Sequence, residues 1–164
     1  MSNSELEVRI FHDKKEIIFK GSPKEVQNQF LKFITEIYPA YDLAKRVTLV
    51  VDLEKILRDV EDVIAIAEEG PILLIKNLKD RDAIGLYLLA NYITFKLNKT
   101  EKDSLTIGEI IKKTGKTSGG IGARLSELIK EGLVERIGKG EYKITTLGIK
   151  EFTENIIPKL KGGV

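Results

Sequence analysis

The chain has 164 residues, 42% hydrophobic and 32% charged, which is enough apolar content to bury a core and too much for a disordered chain. With no cysteine and a single histidine, His12, it excludes disulfides, thiol nucleophiles and multi-histidine metal sites. Its longest apolar run, Ala83 to Phe95, is broken by Asn91 and Thr94 and falls short of the roughly 20 residues a membrane span needs. No leader-like segment opens the chain, so a cytoplasmic protein is expected. Abundant Ile, Lys and Glu beside one Met are the composition of a thermophile's protein.

The net charge of +2 hides an asymmetry. Residues 79–164 carry 16 Lys and Arg against 11 Asp and Glu, whereas residues 1–78 carry 11 against 14. An acidic half beside a basic half implies that only the second meets a polyanion.

In chain order, Leu6–Phe11 and Glu16–Lys20 read as strands joined by the polar turn His12-Asp13-Lys14-Lys15, where His12 is expected to be solvated. A helix follows. Ser22 caps it, Pro23 takes its first position, Glu25 closes a capping box, and Pro39 stops it. Val47–Val51 is β-branched enough for a strand, and Asp52 can cap a short helix with Leu53, Ile56, Leu57 and Val60 on one face. A second hairpin is expected around Glu68-Glu69-Gly70-Pro71. These elements make residues 1–78 a small α/β unit with two hairpins, available to a protein partner.

Charge balance and hydrophobic period both change at Asn77 to Asp80, which sets the expected boundary of a second domain, 79–164. Asp80 or Lys79 precedes a helix, Arg81 to Leu97, that is apolar around most of its circumference and must be buried on more than one side. Thr106 and Glu109 form a capping box for the next helix, with Leu105 able to staple onto Ile110, and Gly115 ends it. Thr117 or Ser118 caps a third helix with Ile121, Leu125, Leu128 and Ile129 on one face, stopped by a left-handed Gly132. Leu133–Ile137 and Glu141–Thr145 form a hairpin across Gly138-Lys139-Gly140, and a last helix runs from Leu147 to Ile157, closed by Pro158. That last helix, with Ile149, Phe152 and Ile156 on one face, and the Arg81–Leu97 helix are the surfaces through which a two-fold homodimer is expected.

The stretch "ARLSELIKEGLVERIGKGEYKITTLG" carries an L-x-x-L-x-x-x-G-L-V-x-[basic] rhythm and a Y-x-I-T-x-x-G ending. With the element order around it, it resembles the winged helix-turn-helix superfamily, as in small bacterial and archaeal transcription regulators, over Asp80 to about Leu160. The whole chain is then α+β, a small α/β unit followed by a winged helix-turn-helix domain. The resemblance implies double-stranded DNA as partner, Ser118 to Lys130 as recognition helix and Gly138-Lys139-Gly140 as wing tip. Winged helices also serve as protein adaptors, so that reading stands beside the first.

Lys112, Lys113, Lys116, Arg124, Arg136, Lys139 and Lys143 are the phosphate-contact candidates, joined by Lys130 and by the helix-opening Thr117, Ser118, Gly119 and Gly120. A solvated lysine-rich face would show the same cations. The outward helix face, Gly119, Ala123, Glu127 and Lys130, lacks the usual bidentate base readers, which implies modest sequence specificity. Gly115-Lys116-Thr117 is only the tail of a phosphate-binding loop, since Ile110 stands where its first glycine belongs. No nucleophile, base and orienting group assemble, and neither a metal nor a cofactor site is expected.

Overall fold

The computed structural model describes residues 5–38 and 49–162. They belong to two units, Met1–Leu49 and Val50–Val164, and the fold is mixed α and β.

In the first unit, strands β1 (Leu6–His12) and β2 (Lys15–Gly21) pair antiparallel from Leu6↔Gly21 to His12↔Lys15. Asp13 and Lys14, at φ 47° and 63°, make a two-residue turn whose left-handed backbone matches strand twist, so the connection is tighter than the four residues expected. Helix α1 (Pro23–Ile37) has the capping box of Ser22 and Glu25. The hydrogen bond from the Ser22 backbone holds the Glu25 carboxyl below its ordinary range. Phe19 and Val26 are the buried apolar residues here, with the rings of Phe30 and Phe33 at 6.0 and 5.8 Å from Phe19. His12 belongs to the end of β1 rather than to the turn; its side chain is 37% exposed and stands edge-on to Phe33, 6.0 Å away. The expected helix stop at Pro39 lies outside the described residues, as do 47 and 48 of the expected strand; residues 49–51 carry no strand.

The second unit opens with α2 (Leu53–Val60), whose first turn is capped by Asp52 accepting from the Lys55 N–H at 3.2 Å. Strands β3 (Ile64–Ala67) and β4 (Gly70–Leu73) form the expected second hairpin across Glu68-Glu69. Then come α3 (Asp80–Lys96), β5 (Leu105–Thr106), α4 (Ile107–Thr114), α5 (Ser118–Lys130), β6 (Val134–Ile137) and β7 (Glu141–Ile144). The last three strands make one antiparallel sheet in the order β5-β7-β6. The chain ends in a helix of three parts: α6 (Thr146–Glu151), a π-helical turn (Phe152–Ile156) and α7 (Ile157–Gly162).

Helix α3 is the axis of this unit, with 10 of its 17 residues buried. Its apolar circumference is covered by α2, the β3–β4 hairpin, α4, α5, β7 and the π-helical turn. Residues 50–78 pack onto α3 from the N-terminal side, so the compact unit begins at Val50, whereas charge and period change at 78/79. Among the polar residues of α3, Asn91 donates its amide to the carbonyls of Lys102 and Ser104, and the Thr94 hydroxyl donates to Ala90.

One expectation about the helices changes. The terminal helix does not close at Pro158. The Ile157 N–H reaches back five residues to the Phe152 carbonyl, and the helix continues to Gly162. A proline has no N–H and its ring crowds the carbonyl four residues earlier, and the wider turn ahead of it makes room. Of the apolar faces expected to form a homodimer, Ile84, Leu88 and Phe152 are fully buried and Ile149 nearly so, whereas Ile156 is half-buried.

Candidate nucleic-acid interface

The candidate site is built on α4, α5 and the β6–β7 hairpin. The Thr106–Glu109 capping box fixes the start of α4, with the Thr106 N–H and hydroxyl both donating to the Glu109 carboxylate at 2.7 Å. The Thr106 backbone bond, foremost, keeps that carboxyl below its usual range. Leu105 and Ile110, the expected staple pair, are both buried in the core. Gly115, at φ 67°, ends α4 by donating its N–H to Ile111.

Thr117 is the N-cap of α5, but its side chain makes no capping bond. The first backbone bond of the helix runs from the Ile121 N–H to the Thr117 carbonyl at 3.0 Å. Helix α5 buries Ile121, Leu125 and Leu128 against α3 and α4. Ile129 does not join them; it is 38% exposed, one position past the buried face. Gly119 and Gly122 face open space, and a Cβ on Gly120 would meet Thr117 Oγ1 at 3.4 Å and Asp80 Oδ2 at 3.7 Å. Gly119, Ala123, Ser126 and Lys130 are exposed and Glu127 is partly so, so the outward side of α5 is small near its start and carries longer side chains only toward its end.

The hairpin turns at Gly138 and Gly140, both with positive φ, around an exposed Lys139. The Ile107 N–H donates to the Gly140 carbonyl at 3.1 Å, which ties the hairpin tip to the start of α4. At the other end a Cβ on Gly148 would lie 2.0 Å from the Leu133 carbonyl oxygen, so only glycine lets α6 start this close to β6.

The predicted cations divide into two sets. Lys116 pairs with Asp80 at 2.9 Å, Arg124 with Glu127 one turn along α5, and Lys143 with Glu135 at 3.2 Å and Asp103 at 3.7 Å. The hydrogen bond to Glu135 is the main reason the Lys143 pKa is raised. Lys113 stands 5.8 Å over the Tyr87 ring. Lys112, Lys130, Arg136 and Lys139 are exposed and have no ion-pair partner among the described residues. The sheet separates two of the candidates. Arg136 is opposite the buried Tyr142 and Glu135 opposite Lys143, and cross-strand partners share a face, so Arg136 and Lys143 point to opposite sides.

Sequence reading missed the residues that seat α5. Arg81 donates twice to Glu131 at the C-terminal end of α5, at 2.5 and 2.6 Å, and this raises the Arg81 pKa and lowers that of Glu131. Asp80, beside it, holds Lys116 ahead of the N-terminus of α5. The first turn of α3 thus fastens both ends of α5. Asp80 does not cap α3, since the N-cap is Lys79, without a side-chain bond. These pairs span 36 and 50 positions, so no local pattern announces them.

No protein-family model, curated protein or solved structure matches the chain.

Proposed function

We propose that residues 79–162 form a winged helix-turn-helix that binds double-stranded DNA with modest sequence specificity, as a transcription regulator or chromatin-associated factor. The element order α3, α4, α5, β6, β7, with β5 completing a three-stranded sheet, supports the reading. The observation that carries it is the exposed Lys139, without an ion-pair partner among the described residues, between two left-handed glycines on the hairpin that directly follows α5. In this reading α5 lies toward the major groove with its small outward residues against the duplex, the hairpin tip reaches the adjacent backbone, and Lys112, Lys130 and Lys139 meet phosphates. Such an interface binds mainly by counterion release. Affinity for an arbitrary duplex should fall by about one decade or more between ~50 and ~200 mM salt for a few phosphate contacts. Absence of duplex binding at low salt would overturn the reading.

A protein-adaptor role is the second reading. It is favoured by the internal pairing of Lys116, Arg124 and Lys143, which removes three of the expected phosphate contacts, and by exposed Ile129 and Leu147.

A further inference from the structure

Between β4 and α3 the chain runs without regular structure through residues 74–79 and turns at Asn77, where φ is 57°. This segment, the start of α3 and the end of the terminal helix wall a groove of about 740 Å³. Small-molecule sites have volumes of roughly 300–1,000 Å³. The groove has an apolar floor of Ile75, Leu78, Ile156 and Leu160, each half-buried and each packed on the core.

Its rim is cationic. Lys76, Lys79 and Lys159 line it, all exposed and none with an ion-pair partner among the described residues. Arg81 also lines it, but its guanidinium is occupied by Glu131. The lining carboxylates are Asp82 and Glu151, and Glu151 already accepts a hydrogen bond from Asn155 at 2.6 Å. An apolar floor under a rim of three ammonium groups against two carboxylates keeps a net positive charge, and is complementary to a molecule with an apolar body and one negative end. A neutral or cationic amphiphile would cover the floor and leave the lysines without a partner.

We propose that this groove binds a small amphipathic carboxylate, aliphatic or aromatic. Its apolar body lies on Ile75, Leu78, Ile156 and Leu160, and its carboxylate meets Lys79 and Lys159. The site adjoins the turn of α3 that fastens α5, because Arg81 lines the groove and holds Glu131. Binding of the carboxylate does not depend on the DNA reading, and absence of duplex binding would leave it standing.

The test titrates decanoate and naphthoate, below any micelle concentration, into the full chain, followed by calorimetry and amide NMR shifts. At least one of them is expected to saturate a single site with shifts centred on residues 75–82 and 151–160. Decanol and decyltrimethylammonium should bind at least about tenfold more weakly. The double variant Lys79→Glu/Lys159→Glu, whose changes are on exposed side chains, should melt like the parent and lose carboxylate affinity by about tenfold or more. Saturation by neither carboxylate, or equal binding of anionic, neutral and cationic amphiphiles, would overturn the site. So would a dimer that the double variant converts to monomer, which would assign the groove to a second copy. Loss of duplex binding in that variant, with no carboxylate bound by the parent, would make these lysines phosphate contacts and overturn it as well.

Discussion

The ring of Phe152 fills the space in which a side chain at Gly85 would begin: a Cβ built on Gly85 would lie 1.8 Å from the Phe152 Cζ. Both residues are buried, so the terminal helix reaches the axis of the unit only because α3 has no side chain at that point. Gly85→Ala would gain about 1 kcal/mol of helix propensity but must displace a packed aromatic ring, and a net destabilisation of roughly 2–3 kcal/mol is expected. Phe152→Ala alone should cost roughly 3–5 kcal/mol. Because the alanine methyl and the ring compete for one space, the double variant should be more stable than the sum of the single effects implies. Urea denaturation of the three variants measures this, and strict additivity would refute the packing account.

The Arg81–Glu131 pair sets a pH dependence. The Arg81 hydrogen bonds lower the Glu131 pKa from 4.5 in the folded chain, so at acid pH the folded chain takes up a proton at Glu131 less readily than the unfolded chain does. The pair's contribution is therefore complete above the unfolded carboxylate value and is lost as pH falls through the lowered folded value. Both side chains are partly exposed, at 30% and 45%, so solvent screening limits the contribution to about 1 kcal/mol or less. Melts of the parent and Glu131→Gln should differ at neutral pH and converge in acid. A constant difference across that range would show that the pair does not carry it.

Much of the fold was legible because local chemistry announces it. Ser22 with Glu25 and Thr106 with Glu109 are capping boxes in the sequence and in the structure, and Gly115 and Gly132 take the left-handed conformation their positions require. The misreadings come from tertiary context. Pro158 reads as a stop, but the π-helical turn ahead of it absorbs the missing N–H. The apolar circumference of helix α3 is legible, but not that α2 and the β3–β4 hairpin supply part of its cover. At the candidate site sequence supplies the cations but not their partners. Asp80, Glu135 and Asp103 pair with Lys116 and Lys143 from other elements, and strand register alone separates Arg136 from Lys143.

That division makes the lysines of the hairpin unequal under the DNA reading. Lys139→Ala removes an exposed cation that has no ion-pair partner among the described residues, and should weaken binding to all duplexes alike, lowering the salt slope by about one unit. Lys143 is already neutralised by Glu135 and Asp103, so Lys143→Ala should leave the salt slope nearly unchanged. Stability should change by no more than about 0.5 kcal/mol for Lys139→Ala. Titrations at several salt concentrations, on a preferred and a scrambled duplex, compare the two. Equal slopes for Lys139→Ala and the parent would remove the hairpin tip from the interface.

Gly122 separates a DNA-facing α5 from a merely solvated one. It lies inside the helix, and a Cβ there would meet nothing within 4 Å, so the fold itself gives no reason for glycine. Gly122→Ala should stabilise the chain by up to about 1 kcal/mol, because glycine is the poorer helix former by that amount. Gly119, Ala123 and Ser126 flank it on the outward side with equally small side chains. If that side is pressed against a duplex, adding bulk should obstruct the approach although the chain folds better. Gly122→Leu, whose Cβ would likewise meet nothing within 4 Å, is therefore expected to fold about as stably as the parent and to bind every duplex more weakly, by about tenfold for a loss of roughly 1.4 kcal/mol. Thermal melts and duplex titrations on the same preparations separate folding from binding. A more stable variant with undiminished duplex affinity would place α5 away from the DNA.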